Sequence, residues 1–447
     1  MTRTVRVALM ASLCCWGVAD ASGQTAPSQP PSRPVGRVSL FGMASQTTGT
    51  ASETWHENAL NLSLTFHPID NEDRPYDYGL DLRYSTFSSG GRPARTSLYE
   101  AFAGAGIAEG SVWVRGGNMW LNDLGALGSI AGGVVEYRRP RQRPDDGRLR
   151  FGAFAGLEPN ILQLGYADEV RKFGGYVTYE GKDARRDTIG YVLVRNAGMT
   201  ERSVLTTTNY VPVGNRFFVY QAAEFDVSRP AGQAERGLTY MFATARVVAS
   251  EHVDVQGLYQ RGRSIDARGL VEALSTGRPV AQQSLTGLLY QSAGGRATFN
   301  VPAGVIGSAT MYAGYYRDQN DERAPGLDRL VFGGQLANIA GSGFDLSASD
   351  ARIAQPSGTY HSWYLSVGKQ LTDQFYVSGD YSTSLSIIRF TPSSGITVET
   401  RPRTTRWSGM ASANLTRTLG LLVTGERTRD ETYNDLRFLG GLTYRIR

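Results

Sequence analysis

The chain has 447 residues, of which 41% are hydrophobic and 53 are glycine, with a net charge of +5; its mean hydropathy is -0.28. No run of about eighteen apolar residues occurs, which excludes a bundle of membrane-crossing helices, and 23 Tyr, 17 Phe and 6 Trp are more aromatic surface than a disordered chain carries. The positive charge is nearly all arginine, with lysine only at Lys172, Lys182 and Lys369, and it is too diffuse for a nucleic-acid footprint.

Arg3 and Arg6 precede an apolar stretch from Val7 to Ala19, and small residues follow at Ala21, Ser22 and Gly23. This order predicts a secretory signal peptide over residues 1–23. Both cysteines, Cys14 and Cys15, lie inside it, so the exported chain would carry none and depend on no disulfide. Residues 24–34, QTAPSQPPSRP, have nothing to bury and read as a Pro-rich periplasmic tether. They are too few to form a folded plug.

From residue 35 to 447 one pattern recurs: segments of about ten residues alternate apolar and polar positions between polar turns. Leu60, Leu62, Leu64 and Phe66 alternate with Asn61, Ser63 and Thr65; Tyr78, Leu80, Leu82 and Tyr84 alternate with Asp81, Arg83 and Ser85. Later cases are Leu149, Phe151 and Ala153, then Phe375, Val377 and Tyr381, then Trp407, Ala411 and Ala413. Each such strand meets an apolar medium on one face and a polar one on the other.

A β-sandwich would alternate in the same way, but three features favour a closed barrel in a membrane. Very short turns, such as Ala108-Glu109-Gly110, Ser250-Glu251 and Thr372-Asp373, alternate with much longer loops, the asymmetry of an outer-membrane barrel. Tyr and Trp gather at strand ends, as at Tyr315, Tyr316, Tyr360, Trp363 and Tyr364, where interfacial girdles form. The chain closes with Phe438, Gly440, Leu442, Tyr444 and Ile446 on one face, which resembles the C-terminal signal read by the barrel-assembly machinery. It departs from that signal in ending Ile446-Arg447 rather than on an aromatic residue.

The expected fold is therefore all-β, a transmembrane antiparallel barrel of about 18 to 20 strands, with 16 to 22 as the bounds, an even number being required to keep both termini in the periplasm. The weakest strand pair lies at 203–228. Residues 317–360 are too long for an ordinary loop; they either fold inward to constrict the pore or hold a further strand pair, which raises the count to twenty-two.

If apolar residues face lipid, parity places Arg83, Arg115, Glu136, Arg138, Arg148, Arg150, Arg246, Arg296, Asp380, Arg406 and Arg437 on the inner face as pore-lining candidates. Glu180, Glu224, Asp226, Asp254, Glu426 and Arg445 share that parity. Arginines in such a wall ease the entry of anions; alternatively they pair with neighbouring carboxylates and line a wetted wall. No phosphate-binding glycine loop, paired cysteines or zinc spacing occurs, so no cofactor or metal is expected. Of the histidines, His67 and His252 fall at periplasmic ends and His56 and His361 near the outer rim. His252 and Asp254 share a face, as a water-activating dyad would, but an exposed turn with incidental polar residues is the favoured explanation; His361 and Ser362 point to opposite faces. No enzyme is predicted.

The segment Leu98-Tyr99-Glu100-Ala101-Phe102, followed by Val112-Trp113-Val114-Arg115-Gly116-Gly117 and by Gly133-Val134-Val135-Glu136-Tyr137-Arg138, resembles a strand-turn-strand pattern of porin-like families and equally of alginate-export-like barrels. The resemblance covers about forty residues, and Arg115-Gly116-Gly117-Asn118 is a degenerate form of its second half. It implies an outer-membrane barrel and does not settle the cargo; the inward arginines favour a channel for small hydrophilic solutes, anionic ones among them, moving by passive diffusion. The alternatives are an exopolysaccharide-export barrel, with Tyr and Trp stacked along the path, and a structural barrel with a filled lumen. The expected partners are the outer-membrane lipid bilayer, the barrel-assembly machinery, and small solutes or polysaccharide.

Overall fold

The computed structural model describes residues 34–446 except 51, 67–75, 89–91, 142–145, 161–163, 229–235, 281–286, 305–306, 321–324, 356–357 and 391–396. The segments expected to be a signal peptide and a tether, apart from Pro34, and His67 lie outside the described residues.

Strands follow one another around the chain: β1 (Val35–Gly49), β2 (Glu53–Phe66), β3 (Tyr76–Phe87), β4 (Arg95–Ile107), β5 (Val112–Trp120), β6 (Ser129–Arg138), β7 (Arg148–Pro159) and β8 (Tyr166–Glu180). Then come β9 (Arg186–Asn196), β10 (Met199–Val213), β11 (Phe217–Asp226), β12 (Gly237–Ser250), β13 (Val253–Ser264), helix α1 (Ala267–Ser275), β14 (Leu288–Gly304) and β15 (Gly307–Gln319). The last are β16 (Leu327–Ala337), β17 (Phe344–Gln355), β18 (Gly358–Thr372), β19 (Phe375–Phe390), β20 (Val398–Thr400), β21 (Arg403–Asn414), β22 (Leu419–Arg429) and β23 (Tyr433–Ile446).

Twenty-two strands form one closed antiparallel barrel, and β20 is an extra strand paired only with β19. Closure runs from Gly36 opposite Ile446 to Gly49 opposite Tyr433, so every strand edge of the barrel has a partner and no edge is left to aggregate. The strand pair at 203–228 is present as β10 and β11. The count exceeds the favoured eighteen to twenty because residues 317–360 contain β16 and β17, so that segment is wall rather than an inward-folded loop.

Parity is regular. Ser39 is 3% exposed while its neighbour Leu40 is 57% exposed, because the first points into the barrel and the second out of it. Leu60, Val135, Leu421 and Phe438 are likewise exposed apolar side chains on the outer face. A sheet whose outer face is this apolar suits lipid, where every backbone polar group must be satisfied within the sheet itself.

Candidate transport pathway in the barrel interior

The most densely packed part of the interior lies against β5 to β10. Between β5 and β6 the chain makes a short 3-10 segment, Asn122–Gly128, pinned by Leu121 N–H donating to the Gly128 carbonyl at 2.9 Å. Gly125 has φ 57 and ψ -135, a backbone turn that a side chain would resist. Leu121, Leu124 and Leu127 are buried, packed with Ile130, Val134 and Phe154. These apolar residues point inward, against the polar habit of barrel interiors, because the segment itself folds inside and covers them. Gly190 on β9 makes the room: a Cβ there would stand 2.4 Å from Leu124 Cδ2.

Charge anchors the same segment. Asp123 accepts from Arg150 at 2.8 Å and pairs with Arg186 at 2.5 Å. Arg150 also reaches Glu136 at 2.8 Å and Glu180 at 2.9 Å. Glu136 accepts from Arg138 at 2.6 Å and from the Tyr176 hydroxyl at 2.7 Å, and the Arg138 guanidinium lies 4.2 Å from the Trp113 ring centroid. Arg148 completes this wall on Glu180 at 2.6 Å.

Nearer the opposite end from the chain termini, helix α1 reaches back across the mouth. It starts with Asp266 accepting from Gly269 N–H at 2.9 Å, an N-cap, and buries Leu270 and Val271 beside Met199 of β10. Arg268 donates to Glu158 of β7 at 2.6 Å and lies 3.6 Å from Glu201 of β10. Two inserted elements, the segment after β5 and α1, thus crowd the β6 to β10 side.

The wall formed by β21 to β23 with β1 to β3, separated from β5 by β4 alone, is less crowded. Arg406 pairs with Glu426 at 2.6 Å, Arg437 with Asp435 at 2.6 Å and Arg83 with Glu57 at 2.5 Å. Their guanidinium side chains are nonetheless 48%, 53% and 40% exposed, against 7% for Arg150. All three point inward from the half of their strands away from the chain termini, so that exposure is to the inside of the barrel's mouth.

Every pore-lining candidate from the sequence sits at an inward position, and most have partners there. Arg115 pairs with Asp77 at 2.6 Å and Arg246 with Asp254 at 3.2 Å. Arg296 reaches Gln256 at 3.4 Å and lies over the Tyr312 ring at 5.4 Å. Asp380 accepts from Tyr364 at 2.8 Å and Ser408 at 3.1 Å. The structure does not join His252 to Asp254: His252 lies 3.1 Å from the Asn300 carbonyl and 3.4 Å from Glu251, while Asp254 is held by Arg246. His361 contacts Asp350 at 2.6 Å on the outer face.

Among the inward charges missing from the parity list, besides Glu57, Asp77 and Asp435, are three more. Asp123 belongs to no strand. Arg202 follows a register shift between Thr200 and Arg202, which breaks the phase, and pairs with Asp226 at 3.0 Å and Glu224 at 3.3 Å. Arg329 lies in β16, within residues 317–360, and pairs with Asp318 at 3.0 Å.

No protein-family model and no curated protein matches the sequence. Similar solved structures include OccAB4 of Acinetobacter baumannii, at 10% identity and TM-score 0.47 over 94% of this chain and 100% of that one. OpdQ of Pseudomonas aeruginosa aligns at 9% identity and TM-score 0.47 over 93% and 100% of the two chains. OccK2 (OpdF) of Pseudomonas aeruginosa, in complex with glucuronate, aligns at 10% identity and TM-score 0.45 over 93% and 97%. All three are Occ/Opd outer-membrane porins.

Proposed function

We propose that this barrel lies in an outer membrane and passes small hydrophilic solutes by passive diffusion, with anions favoured along the arginine-bearing wall. One observation carries the reading: Arg83, Arg406 and Arg437 point into the barrel and yet are 40% to 53% exposed. A filled mouth would bury them. The inserted segment at Asn122–Gly128 and helix α1 narrow the β6 to β10 side, so a solute would be steered toward the wall where guanidinium groups are reachable.

The anion preference is modest in this reading, because the inward arginines stand beside carboxylates rather than alone. A guanidinium paired on one edge keeps further N–H donors free on another, so Arg406 and Arg437 can still greet a carboxylate solute while Glu426 and Asp435 hold them in place. Polysaccharide export is less well supported: the cluster Trp363, Tyr381 and Trp407, with centroids 4.9 Å and 4.2 Å apart, faces outward and supplies no stacked track inside.

Planar-bilayer recording in a potassium chloride gradient tests the proposal. Ion flow with a reversal potential on the chloride side is expected. A reversal potential on the potassium side contradicts the anion preference.

A further inference from the structure

We propose that the outer face of β21 and β22, at the end away from the chain termini, binds a phosphorylated lipid headgroup of the outer leaflet through Arg403, Arg427 and Arg429. The inward residues of these strands are fixed by the pair Arg406 and Glu426, so Arg403 and Trp407 on β21, and Arg427 and Arg429 on β22, point outward. Register sets Trp407 directly opposite Arg427, and Thr405 opposite Arg429. All three arginines are exposed.

What sets them apart is their lack of anions. Inside the barrel, arginine after arginine meets a carboxylate, whereas among the described residues no carboxylate pairs with Arg403, Arg427 or Arg429. Arg427 donates to Asn434 at 2.9 Å and Arg403 to Thr383 at 3.4 Å, neutral acceptors that orient the side chains and leave the charge uncompensated. The nearby Asp430 is turned to its own loop, accepting from Thr432 and Tyr433 N–H.

Level is set by the neighbours. Trp407 stacks against Tyr381, and Tyr381 against Trp363, an outward aromatic cluster of the kind that marks the membrane-water boundary. Arg427, level with this cluster, and Arg403 and Arg429, just beyond it, stand at headgroup depth, where the anions on offer are phosphates. The guanidinium fork matches a phosphate monoester with two donors at once, and three such forks on two adjacent strands suit a headgroup with more than one phosphate.

This inference rests on the outer-membrane part of the functional reading and not on conductance. The test uses the full mature chain in maltoside micelles with a bis-phosphorylated lipid A as probe, its dephosphorylated form as comparison, and native mass spectrometry to count bound lipid. The wild-type barrel is expected to retain the phosphorylated lipid about tenfold better than the dephosphorylated one. The variant Arg403→Gln/Arg427→Gln/Arg429→Gln should lose that preference while keeping its heat-modifiable gel shift and its conductance. Arg406→Gln, which alters an inward arginine, should leave lipid retention unchanged. Equal retention of both lipids, an undiminished preference in the triple variant, or displacement of the lipid by inorganic phosphate would each overturn the proposal. Single substitutions at Arg427 and Arg429 serve if the triple variant does not fold. A barrel that binds lipid in this way and conducts nothing would refute the pore and spare this site.

Discussion

Asp123, on the segment folded into the barrel, accepts from Arg150 of β7 at 2.8 Å, and both side chains are nearly buried. The same guanidinium touches Glu136 and Glu180, so one arginine ties three strands of wall to the insert that narrows the interior.

Asp123→Asn should therefore loosen the insert. Two charged contacts weaken, to Arg150 and Arg186, and removing one partner of a buried pair costs about 3 kcal/mol. The expected result is a lower temperature for loss of the heat-modifiable band, with larger and noisier single-channel conductance. An unchanged conductance would show that the insert does not limit flow.

Gly190→Val tests the same insert without altering charge. The new side chain would run into Leu124 Cδ2, which a Cβ alone approaches to 2.4 Å, and overpacking of this kind costs about 1 to 3 kcal/mol. Conductance should rise as it does in Asp123→Asn. Gly257→Val, at a position where a Cβ meets nothing within 4 Å, should leave it unaltered.

Arg406→Gln with Arg437→Gln should shift selectivity. Glu426 and Asp435 would keep their charges and lose their partners, turning this wall acidic. The chloride-to-potassium permeability ratio should fall on the order of threefold, since lining charge acts through the local field. Equal reversal potentials in variant and wild type would mean that solutes do not pass along this wall.

Glu399 gives a pH test outside the spanning strands. Hydrogen bonds from Arg389 at 2.8 Å and Arg401 at 2.6 Å hold its carboxyl below the ordinary value of 4.5. The folded value is depressed, so the contribution of this clamp to holding β20 on β19 is present above 4.5 and is lost as pH falls through the folded value. The Glu399 carboxyl carbon, followed by NMR in a selectively labelled sample, should titrate below 4.5 in the wild type and move up in Arg389→Gln/Arg401→Gln. A wild-type midpoint at or above 4.5 would contradict the clamp.

The barrel walls were legible because a lipid-facing and a water-facing side impose period 2, as at Leu60 to Phe66. β16 and β17 were legible only as one of two alternatives for residues 317–360, for a physical reason: their outer faces carry Asp328, Asp350 and Arg352 among Leu330 and Phe332, paired as Tyr315 to Asp328 and His361 to Asp350. Charges on the apolar side erase the alternation. The inward arginines followed from parity, but their partners did not, since Arg115 and Asp77 or Arg83 and Glu57 meet only once the strand register is known. The insert had a signal that strand periodicity overlooks: Leu121, Leu124 and Leu127 recur every third residue in a connection too apolar to face water.

The central claim is an open interior reached by exposed arginines, and single-channel recording of the heat-modifiable, folded barrel in a planar bilayer tests it most directly. Discrete conductance steps with a reversal potential on the chloride side are the expected result, and a folded, inserted barrel that passes no current would contradict the account.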